Sequence, residues 1–253
     1  MSEDRLARIR LMLGEEKLER LKKSFVVVVG MGAVGSYAVE GLARSGVGRL
    51  RLVDFDVLRA SNINRQLYAL GSTLGRHKAD VAAERVLDIN PHCAAEKMNV
   101  FANEDTFETI LGGHPDLVID AIDSLGPKAG LIAATVKRGL PLIASMGAAL
   151  RTDPSAVRVG PIKEVVGCPL AAKVRNLLRK SGTHLDFTCV YSTEPVGELK
   201  KKRQVDPETE HFEQGRRRAA LGSLPTLTGI FGLTIANAAI QLLSGEEKKS
   251  VEK

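Results

Sequence analysis

The chain has 253 residues, 44% of them hydrophobic, which suits one large α/β domain and excludes intrinsic disorder over most of its length. The formal net charge of +6 favours an anionic partner such as RNA, although an ordinary basic protein can carry the same charge. The widely spaced Cys93, Cys168 and Cys189 form no CxxC pair, which argues against a disulfide framework or a cysteine zinc site.

The N-terminal segment predicts helices and no signal peptide. Residues 1–10 are charged and lack the apolar core of a signal peptide, so we expect a cytoplasmic protein. Residues 3–23 are rich in Leu, Arg, Lys and Glu and are interrupted at Gly14. This pattern predicts two short amphipathic helices, so that residues 1–23 precede the first strand of a single domain spanning residues 1–253.

The next segment predicts a strand, a phosphate-binding loop and a helix. Residues 25–29 are a continuous apolar, β-branched run, typical of a strand buried on both faces of a parallel sheet. A GxGxxG pattern follows and leads into a helix that ends near Ser45. A second strand, 49–53, ends at Asp54, at the offset of a ribose-binding carboxylate. The pattern's glycines are Gly30, Gly32 and Gly35. Such a loop also occurs in dehydrogenases and flavoproteins, so the loop alone does not identify the ligand.

The alternation of helices and strands continues to residue 191. It predicts a doubly wound, Rossmann-like α/β fold with a mostly parallel sheet, which the last elements extend. The predicted helices are 78–89, one that begins at Asn103, 127–138 and 170–180, and the predicted strands are 94–100, 116–121, 140–145, 156–159 and 186–191.

Two C-terminal segments stand apart from this alternation. Residues 195–220 are charged and without hydrophobic periodicity, which predicts a mobile basic loop. Residues 225–243 are apolar and close to the length of a membrane span. Small residues and Asn237 favour a helix that is buried or packed in a dimer over one that is associated with a membrane.

Polar residues follow the predicted strands at the carboxyl edge of the sheet, where such folds bind ligands. An acidic pair, Asp54 and Asp56, can grip a ribose, and the run SNINRQ supplies amide and guanidinium groups suited to phosphate oxygens. A triphosphate needs this array more than a dinucleotide does. Asp123, beyond strand 116–121, suits Mg²⁺, which takes one or two carboxylates together with phosphate oxygens.

Together these features resemble the adenylating superfamily of ubiquitin-activating, ThiF and MoeB-type enzymes. The resemblance implies that ATP is bound at the glycine loop, that Asp54 holds the ribose and that Asp123 binds Mg²⁺. It implies phosphate contacts by Asn62, Arg65, Gln66 and Lys78. It also implies a homodimer in which an N-terminal arginine reaches the partner's triphosphate. Spacing to Gly14 points to Arg8, with Arg5, Arg10 and a solvated helix face as the alternatives.

Further motifs are similar to the tRNA threonylcarbamoyladenosine dehydratase family over nearly the whole chain. They include Ile89-Asn90-Pro91, Pro127-Lys128-Ala129, Asp153-Pro154, 169–175, 186–194 and 222–226. The resemblance implies that the threonyl carboxylate of the modified adenosine attacks ATP. An acyl-adenylate forms, and a group of the same modification then displaces AMP and closes a ring. This chemistry needs no protein nucleophile, so we expect Cys189 to be a small buried hydrophobe and His77 to be a surface residue.

Three other functions compete with this interpretation. The first is adenylation of the C-terminus of a ubiquitin-like or sulfur-carrier protein, which the missing zinc cysteines weaken. The second is a nicotinamide oxidoreductase, which would leave Arg65, Lys78 and Asp123 without a purpose. The third is a non-catalytic RNA-binding or scaffold protein that merely keeps the fold. A sulfur-transfer protein remains a further partner to consider.

Overall fold

The computed structural model describes residues 4–196, 204–205 and 219–245. A seven-stranded sheet lies at its centre, in the order β3-β2-β1-β4-β5-β7-β6. The strands are β1 Phe25–Val29, β2 Arg49–Val53, β3 Ala94–Met98, β4 Leu117–Asp120, β5 Leu142–Ser145, β6 Val157–Pro161 and β7 Thr188–Ser192. Every pairing is parallel except that of β6 with β7, so the predicted doubly wound, mostly parallel sheet is confirmed.

Helices cover both faces of the sheet because its central strands are apolar on both sides. All residues of β1 and β4 are buried. The helices are α1 Ala7–Leu13, α2 Glu15–Lys23, α3 Gly35–Arg44, α4 Lys78–Ile89, α5 Phe107–Leu111, α6 Leu125–Lys137, α7 Pro169–Lys180 and α8 Pro225–Ser244. One core cluster joins the sheet to α2, α3, α4 and α8, and a second joins it to α5, α6 and α7.

The N-terminal helices lie at the amino edge of the sheet, opposite the glycine loop. Gly14, with φ of +82°, separates α1 from α2 as predicted. The Arg5 guanidinium donates hydrogen bonds to the carbonyl oxygens of Asp88 and Ile89, at the end of α4. Leu6 packs beside Gly46, just beyond the end of α3. Because α3 and α4 end at the amino edge, these contacts place the start of α1 at the opposite edge from the glycine loop.

One predicted helix start is wrong. The helix expected to open at Asn103 begins at Phe107 instead. Asn103 accepts a hydrogen bond from the backbone N–H of Thr106 through Oδ1, and the Thr106 hydroxyl binds the Phe101 carbonyl. These bonds stabilise a turn that delays the helix, since Asn and Thr side chains compete for backbone groups. Elsewhere α6 begins two residues earlier than predicted, and several strand ends differ by one or two residues.

The predicted apolar helix at 225–243 is confirmed as α8, which packs along α3. A Cβ placed on Gly232 would lie 2.4 Å from the carbonyl oxygen of Val34, so only glycine allows this close approach. In the described part of the chain, α8 is the helix with the length and composition of a membrane span, which by itself is weak evidence. Its contact with α3 and α2 is that of a core helix.

Most of the predicted basic loop, 195–220, lies outside the described residues. Within it, Gln204–Val205 and Ala219–Ala220 form two short strands, β8 and β9, that pair antiparallel. Whether the loop is mobile remains a prediction.

Candidate active site

The candidate site lies where the carboxyl ends of β2, β1 and β4 meet. Val29 at the end of β1 is in register with Val53 of β2 and with Asp120 of β4. The backbone N–H of Gly30 binds the carbonyl of Val53 at 2.8 Å. The segments that follow these three strands therefore converge, as expected for the ligand edge of an open parallel sheet.

The three glycines of the loop serve different purposes. Gly30 has φ of +97°, and a Cβ on it would lie 2.8 Å from the carbonyl oxygen of Ala121. A Cβ on Gly35 would lie 1.7 Å from the carbonyl oxygen of Gly30. At Gly32 the nearest atom to such a Cβ is Nε2 of Gln66, at 3.8 Å. Two glycines are thus required by packing, whereas the third leaves room beside the backbone.

Helix α3 begins in this loop without a side-chain cap. Its N-cap residue is Val34, which makes no capping hydrogen bond. The first N–H groups of a helix have no partner within it and carry partial positive charge. The loop therefore presents the groups that bind phosphate at helix N-termini.

Asp54 fastens the loop to the second strand. Its Oδ2 accepts a hydrogen bond from the backbone N–H of Met31 at 2.7 Å, and Oδ1 accepts one from Asp56 at 2.9 Å. Burial raises the pKa of the Asp54 carboxyl above its ordinary value, while the charge of Lys78 opposes the rise. Asp54 therefore orders the loop, and its ribose role remains a prediction.

Lys78 lies in the site because Asp56 holds it twice. The Lys78 ammonium lies 2.9 Å from Oδ2 of Asp56, and the Lys78 backbone N–H binds the Asp56 carbonyl at 3.0 Å. The Lys78 side chain is only 7% exposed, so the ion pair is largely shielded from water. A cation at the first residue of α4 is thereby kept close to the acidic pair.

The SNINRQ run forms a compact turn beside the loop. Asn62 accepts the backbone N–H of Arg59 through Oδ1, and Nη1 of Arg65 donates to the carbonyl of Ser61 and to Asn64. Gln66 is only 8% exposed, and its Oε1 has no hydrogen-bond partner in the described part of the chain. A buried polar atom of this kind calls for a partner, which a bound ligand could supply.

Asp123 is an exposed residue three positions beyond the end of β4. Its negative charge contributes to raising the pKa of Asp120, for which burial is the larger cause. Among the described residues no group of three or more His, Cys, Asp or Glu side chains is placed to hold a metal ion. A metal at Asp123 would therefore take most of its ligands from the substrate and water.

A buried ion pair below Asp123 has a role that sequence reasoning missed. The Lys128 ammonium lies 2.6 Å from Oδ2 of Asp120, and both side chains are fully buried. Oδ1 of Asp120 accepts the backbone N–H of Ile122, so the pair fixes the segment leading to Asp123. The sequence placed Lys128 in a motif and Asp120 in a predicted strand, but spacing alone did not indicate that they touch.

Three residues that the sequence analysis singled out fall outside this assembly. Arg8 is exposed on α1, at the amino edge, so the structure does not bring it to the site of its own chain. Cys189 is completely buried, and burial raises the pKa of its thiol, as expected for an inert cysteine. His77 is exposed, as predicted.

Comparison with known proteins agrees with this geometry. Residues 3–253 match the ThiF family. A tRNA threonylcarbamoyladenosine dehydratase of Bacillus subtilis is 45% identical over 188 residues, which cover 74% of each chain. Crystal structures of the Escherichia coli tRNA N6-threonylcarbamoyladenosine dehydratase TcdA with ATP and with AMP superpose with TM-scores of 0.82 and 0.83. Each is 32% identical and covers 94% of this chain and 93% of TcdA. The chain therefore belongs to the ThiF family and, within it, to the tRNA threonylcarbamoyladenosine dehydratases.

Proposed function

We propose that this protein uses ATP to dehydrate threonylcarbamoyladenosine in tRNA to its cyclic form. The observation that carries the proposal is the convergence of Asp54, Asp56, Lys78 and Gln66 on a glycine loop that leaves room at Gly32. Such a set suits ATP, and family membership supplies the acceptor. The rival acceptor, a ubiquitin-like or sulfur-carrier tail, lacks a comparable supporting observation.

The glycine loop and its neighbours bind the nucleotide in this proposal. The acidic pair faces the ribose, and the uncapped N-terminus of α3 receives phosphate oxygens. Arg65 and Lys78 neutralise the charge that builds up on the leaving pyrophosphate, with Asn62 and Gln66 as further hydrogen-bonding partners. Lys78 then exchanges part of its contact with Asp56 for the phosphates.

A site built on the Asp123 carboxylate is better suited to Mg²⁺ than to a transition-metal ion. Mg²⁺ prefers oxygen ligands and needs few from the protein when a triphosphate is bound. Asp123 offers one carboxylate at the edge, oriented by the Asp120–Lys128 pair behind it. When bound, the ion neutralises phosphate charge, and Asp123 is the residue of this chain that would hold it.

The reaction then follows from positioning. A threonyl carboxylate oxygen attacks the α-phosphorus, the bond to pyrophosphate breaks, and an acyl-adenylate remains. A neighbouring group of the modification attacks the acyl carbon and releases AMP, for a net loss of one water from the tRNA. The protein holds the reactants and stabilises charge, and the protonated, buried Cys189 takes no part.

A cytoplasmic homodimer would bring Arg8 to a second active site. Arg8 cannot serve its own chain because α1 lies at the opposite edge of the sheet. Beside it, Leu11 and Met12 are 86% and 83% exposed, an apolar face that a second copy could cover. We therefore propose that Arg8 acts in trans on the partner's triphosphate. A sulfur-transfer protein stays a candidate second partner.

The test uses purified protein, ATP, Mg²⁺ and tRNA carrying threonylcarbamoyladenosine, followed by mass analysis of the nucleosides under mild conditions. Wild type should give a product lighter by one water, together with AMP and pyrophosphate. Asp123→Asn should lower the rate by about 100-fold or more, since it removes the carboxylate that would hold Mg²⁺, and with it the positive charge that stabilises the transition state.

The matched control is Asp88→Asn. Asp88 is an exposed aspartate near the end of α4, at the amino edge, and its substitution should leave the rate unchanged. Unchanged tRNA with active wild-type protein would reject the proposal. Release of AMP only with a carrier-protein tail would then favour the rival acceptor.

A further inference from the structure

Arg151 is a fully buried arginine whose guanidinium is mostly without partners. The residue is only 1% exposed. Its Nη2 donates a hydrogen bond to the carbonyl of Gly167 at 3.1 Å, whereas Nε and Nη1 have no hydrogen-bond partner in the described part of the chain. Buried polar groups are nearly always hydrogen-bonded, and an unpaired buried charge is especially costly. Arg151 therefore needs an explanation.

Other arginines show what a structural role looks like in this protein. Nη1 of Arg175 donates to the carbonyls of Ile162 and Val165 at 3.0 and 2.6 Å. Arg51 binds the Glu96 carboxylate and three backbone carbonyls. Neither has a buried nitrogen atom without a partner, which sets Arg151 apart.

Arg151 lies at the carboxyl edge, in the loop that follows β5. Leu150, with φ of +60°, turns the chain there, and its N–H binds the carbonyl of Gly222. The same loop packs on the beginning of α7: a Cβ placed on Gly147 would lie 3.6 Å from Sγ of Cys168 and 3.8 Å from Cβ of Leu170. The Arg151 side chain thus reaches the residue that directly precedes the N-cap of α7.

The N-terminus of α7 adds positive potential to this place. The helix has 12 residues, and its N-cap, Cys168, makes no capping hydrogen bond. Its dipole therefore points a partial positive charge toward the edge at which Arg151 lies. A buried cation and an uncapped helix N-terminus together form an environment that favours the binding of an anion.

The nearby carboxylate does not neutralise Arg151 directly. Glu194 accepts hydrogen bonds from the backbone N–H groups of Thr152 and Asp153 and from the Thr152 hydroxyl. Arg151 only contributes, as the weakest cause, to lowering the pKa of Glu194. Within the described ranges no ion pair involves Arg151.

The sheet order places this environment of Arg151 beside the strands that end at the candidate nucleotide site. We call the carboxyl ends of β2, β1 and β4 the nucleotide half and those of β5 and β7 the acceptor half. β5 lies directly beside β4, with Asp120 in register with Ala144. Since the groups suited to ATP occupy the nucleotide half, we expect the molecule that attacks the α-phosphate to approach over the adjacent acceptor half.

We propose that Arg151 and the N-terminus of α7 form an anion-binding site for the tRNA substrate. The ligand is an anionic oxygen, which either the threonyl carboxylate or a tRNA backbone phosphate supplies. The choice of substrate rests on the proposed function. Since the two unpartnered nitrogens are buried, binding requires a shift of the loop around Leu150, whose neighbouring segment 221–224 is largely exposed.

The experiment compares wild type with Arg151→Gln and Arg151→Lys. Binding constants are measured for tRNA with and without threonylcarbamoyladenosine, together with kcat and KM for the dehydration, the affinity for ATP and Tm. Arg151→Gln should weaken binding of modified tRNA about tenfold or more, because a charge-assisted hydrogen bond is lost, while ATP affinity is unchanged. Arg151→Lys keeps the charge and should recover part of the loss.

Two controls separate this role from charge and from folding. Arg158→Gln removes one exposed positive charge from β6. Arg175→Gln removes the hydrogen bonds from the middle of α7 to the carbonyls of Ile162 and Val165, and it should lower Tm without a selective loss of tRNA binding. If Arg151→Gln does not fold, the comparison of Arg151→Lys with wild type decides, since a lysine cannot supply the fixed guanidinium geometry.

The two sources of the anion give different results. If the site takes the carboxylate, Arg151→Gln loses affinity only for modified tRNA, and the free modified nucleoside competes with it in wild type. If it takes a phosphate, both tRNAs lose affinity equally and the salt dependence of binding falls by about one contact.

The proposal would be overturned if Arg151→Gln bound each tRNA as tightly as wild type does. It would also be overturned if the loss of tRNA affinity in Arg151→Gln were no larger than the loss in Arg158→Gln. The tRNA-binding measurements hold even if wild type dehydrates nothing, so failure of the proposed function is seen separately.

Discussion

The two halves of the carboxyl edge differ in how completely their buried charged side chains are hydrogen-bonded or ion-paired. In the nucleotide half each buried charge has a partner: Asp54 binds backbone N–H groups, and Lys78 and Lys128 each lie within 3 Å of a carboxylate, at 2.9 and 2.6 Å. In the acceptor half the Arg151 guanidinium makes one hydrogen bond. The contrast suggests that the nucleotide half is ordered before ATP binds, whereas the acceptor half is completed by its substrate.

The glycine loop offers the sharpest way to test the order of the nucleotide half. A methyl group on Gly35 would lie 1.7 Å from the Gly30 carbonyl oxygen, so Gly35→Ala should lose more than about 4 kcal/mol of unfolding free energy or fail to fold. Gly32→Ala meets nothing closer than 3.8 Å and should keep the wild-type stability within about 0.5 kcal/mol.

The same pair of variants separates packing from binding. Gly32→Ala places its methyl beside the backbone that is expected to approach phosphate, so its ATP affinity should fall about tenfold. Urea unfolding and calorimetric titration with ATP measure the two effects. Equal stability losses in both variants, or wild-type ATP affinity in Gly32→Ala, would contradict this division of roles.

The buried ion pair gives the next largest effect. Lys128→Met leaves the Asp120 carboxylate buried without its cation, which should cost about 3–5 kcal/mol of unfolding free energy. Adding Asp120→Asn should recover at least half of that loss, because the amide oxygen can still accept the Ile122 N–H while no charge remains. Urea unfolding of both variants checks this.

A surface pair serves as the control for Lys128. Lys97 lies 3.1 Å from Asp80, but its side chain is 57% exposed. Lys97→Met should therefore stay within about 0.5 kcal/mol of wild type. If the double variant were no more stable than Lys128→Met, the loss would come from packing and the pair would not be the cause.

The fold was readable from the sequence because its signals are local. The runs at β1 and β2 and the helix α4 have the predicted bounds, since burial on both faces and helical spacing leave clear patterns. The helix expected at Asn103 began late because side-chain bonds within the turn, which no periodicity reveals, hold it back. The residues at which a helix or strand begins and ends depend on such contacts more than its type, helix or strand, does.

The site divides in the same way. The nucleotide residues stand in motifs near the ends of strands, so topology alone predicts that Asp54, Lys78 and Asp123 approach one edge. Arg151 lies in a loop with no motif of its own, and the contacts there join segments that are distant in sequence: its Nη2 binds the carbonyl of Gly167, and the N–H of the neighbouring Leu150 binds that of Gly222. Only tertiary structure shows that its hydrogen-bonding groups are unsatisfied.

The smallest expected effect on stability concerns Glu194, whose carboxylate binds the backbone N–H groups of Thr152 and Asp153 in the acceptor half. Hydrogen bonds from backbone N–H groups, that of Asp153 first, lower the pKa of Glu194 below its ordinary value of 4.5. A carboxyl group with a lowered pKa in the folded state stabilises the fold above that ordinary value, and the contribution is lost as pH falls through the folded pKa. Glu194→Gln removes this titration and keeps a neutral acceptor for the loop.

The difference in unfolding free energy between wild type and Glu194→Gln should accordingly be constant from neutral pH down to about 4.5 and shrink below it. Its size should stay under about 1 kcal/mol because Glu194 is partly solvated. Urea unfolding across this pH range measures it. A difference that persisted unchanged well below 4.5 would mean that Glu194 supports the loop by its shape and hydrogen bonds and not by its charge.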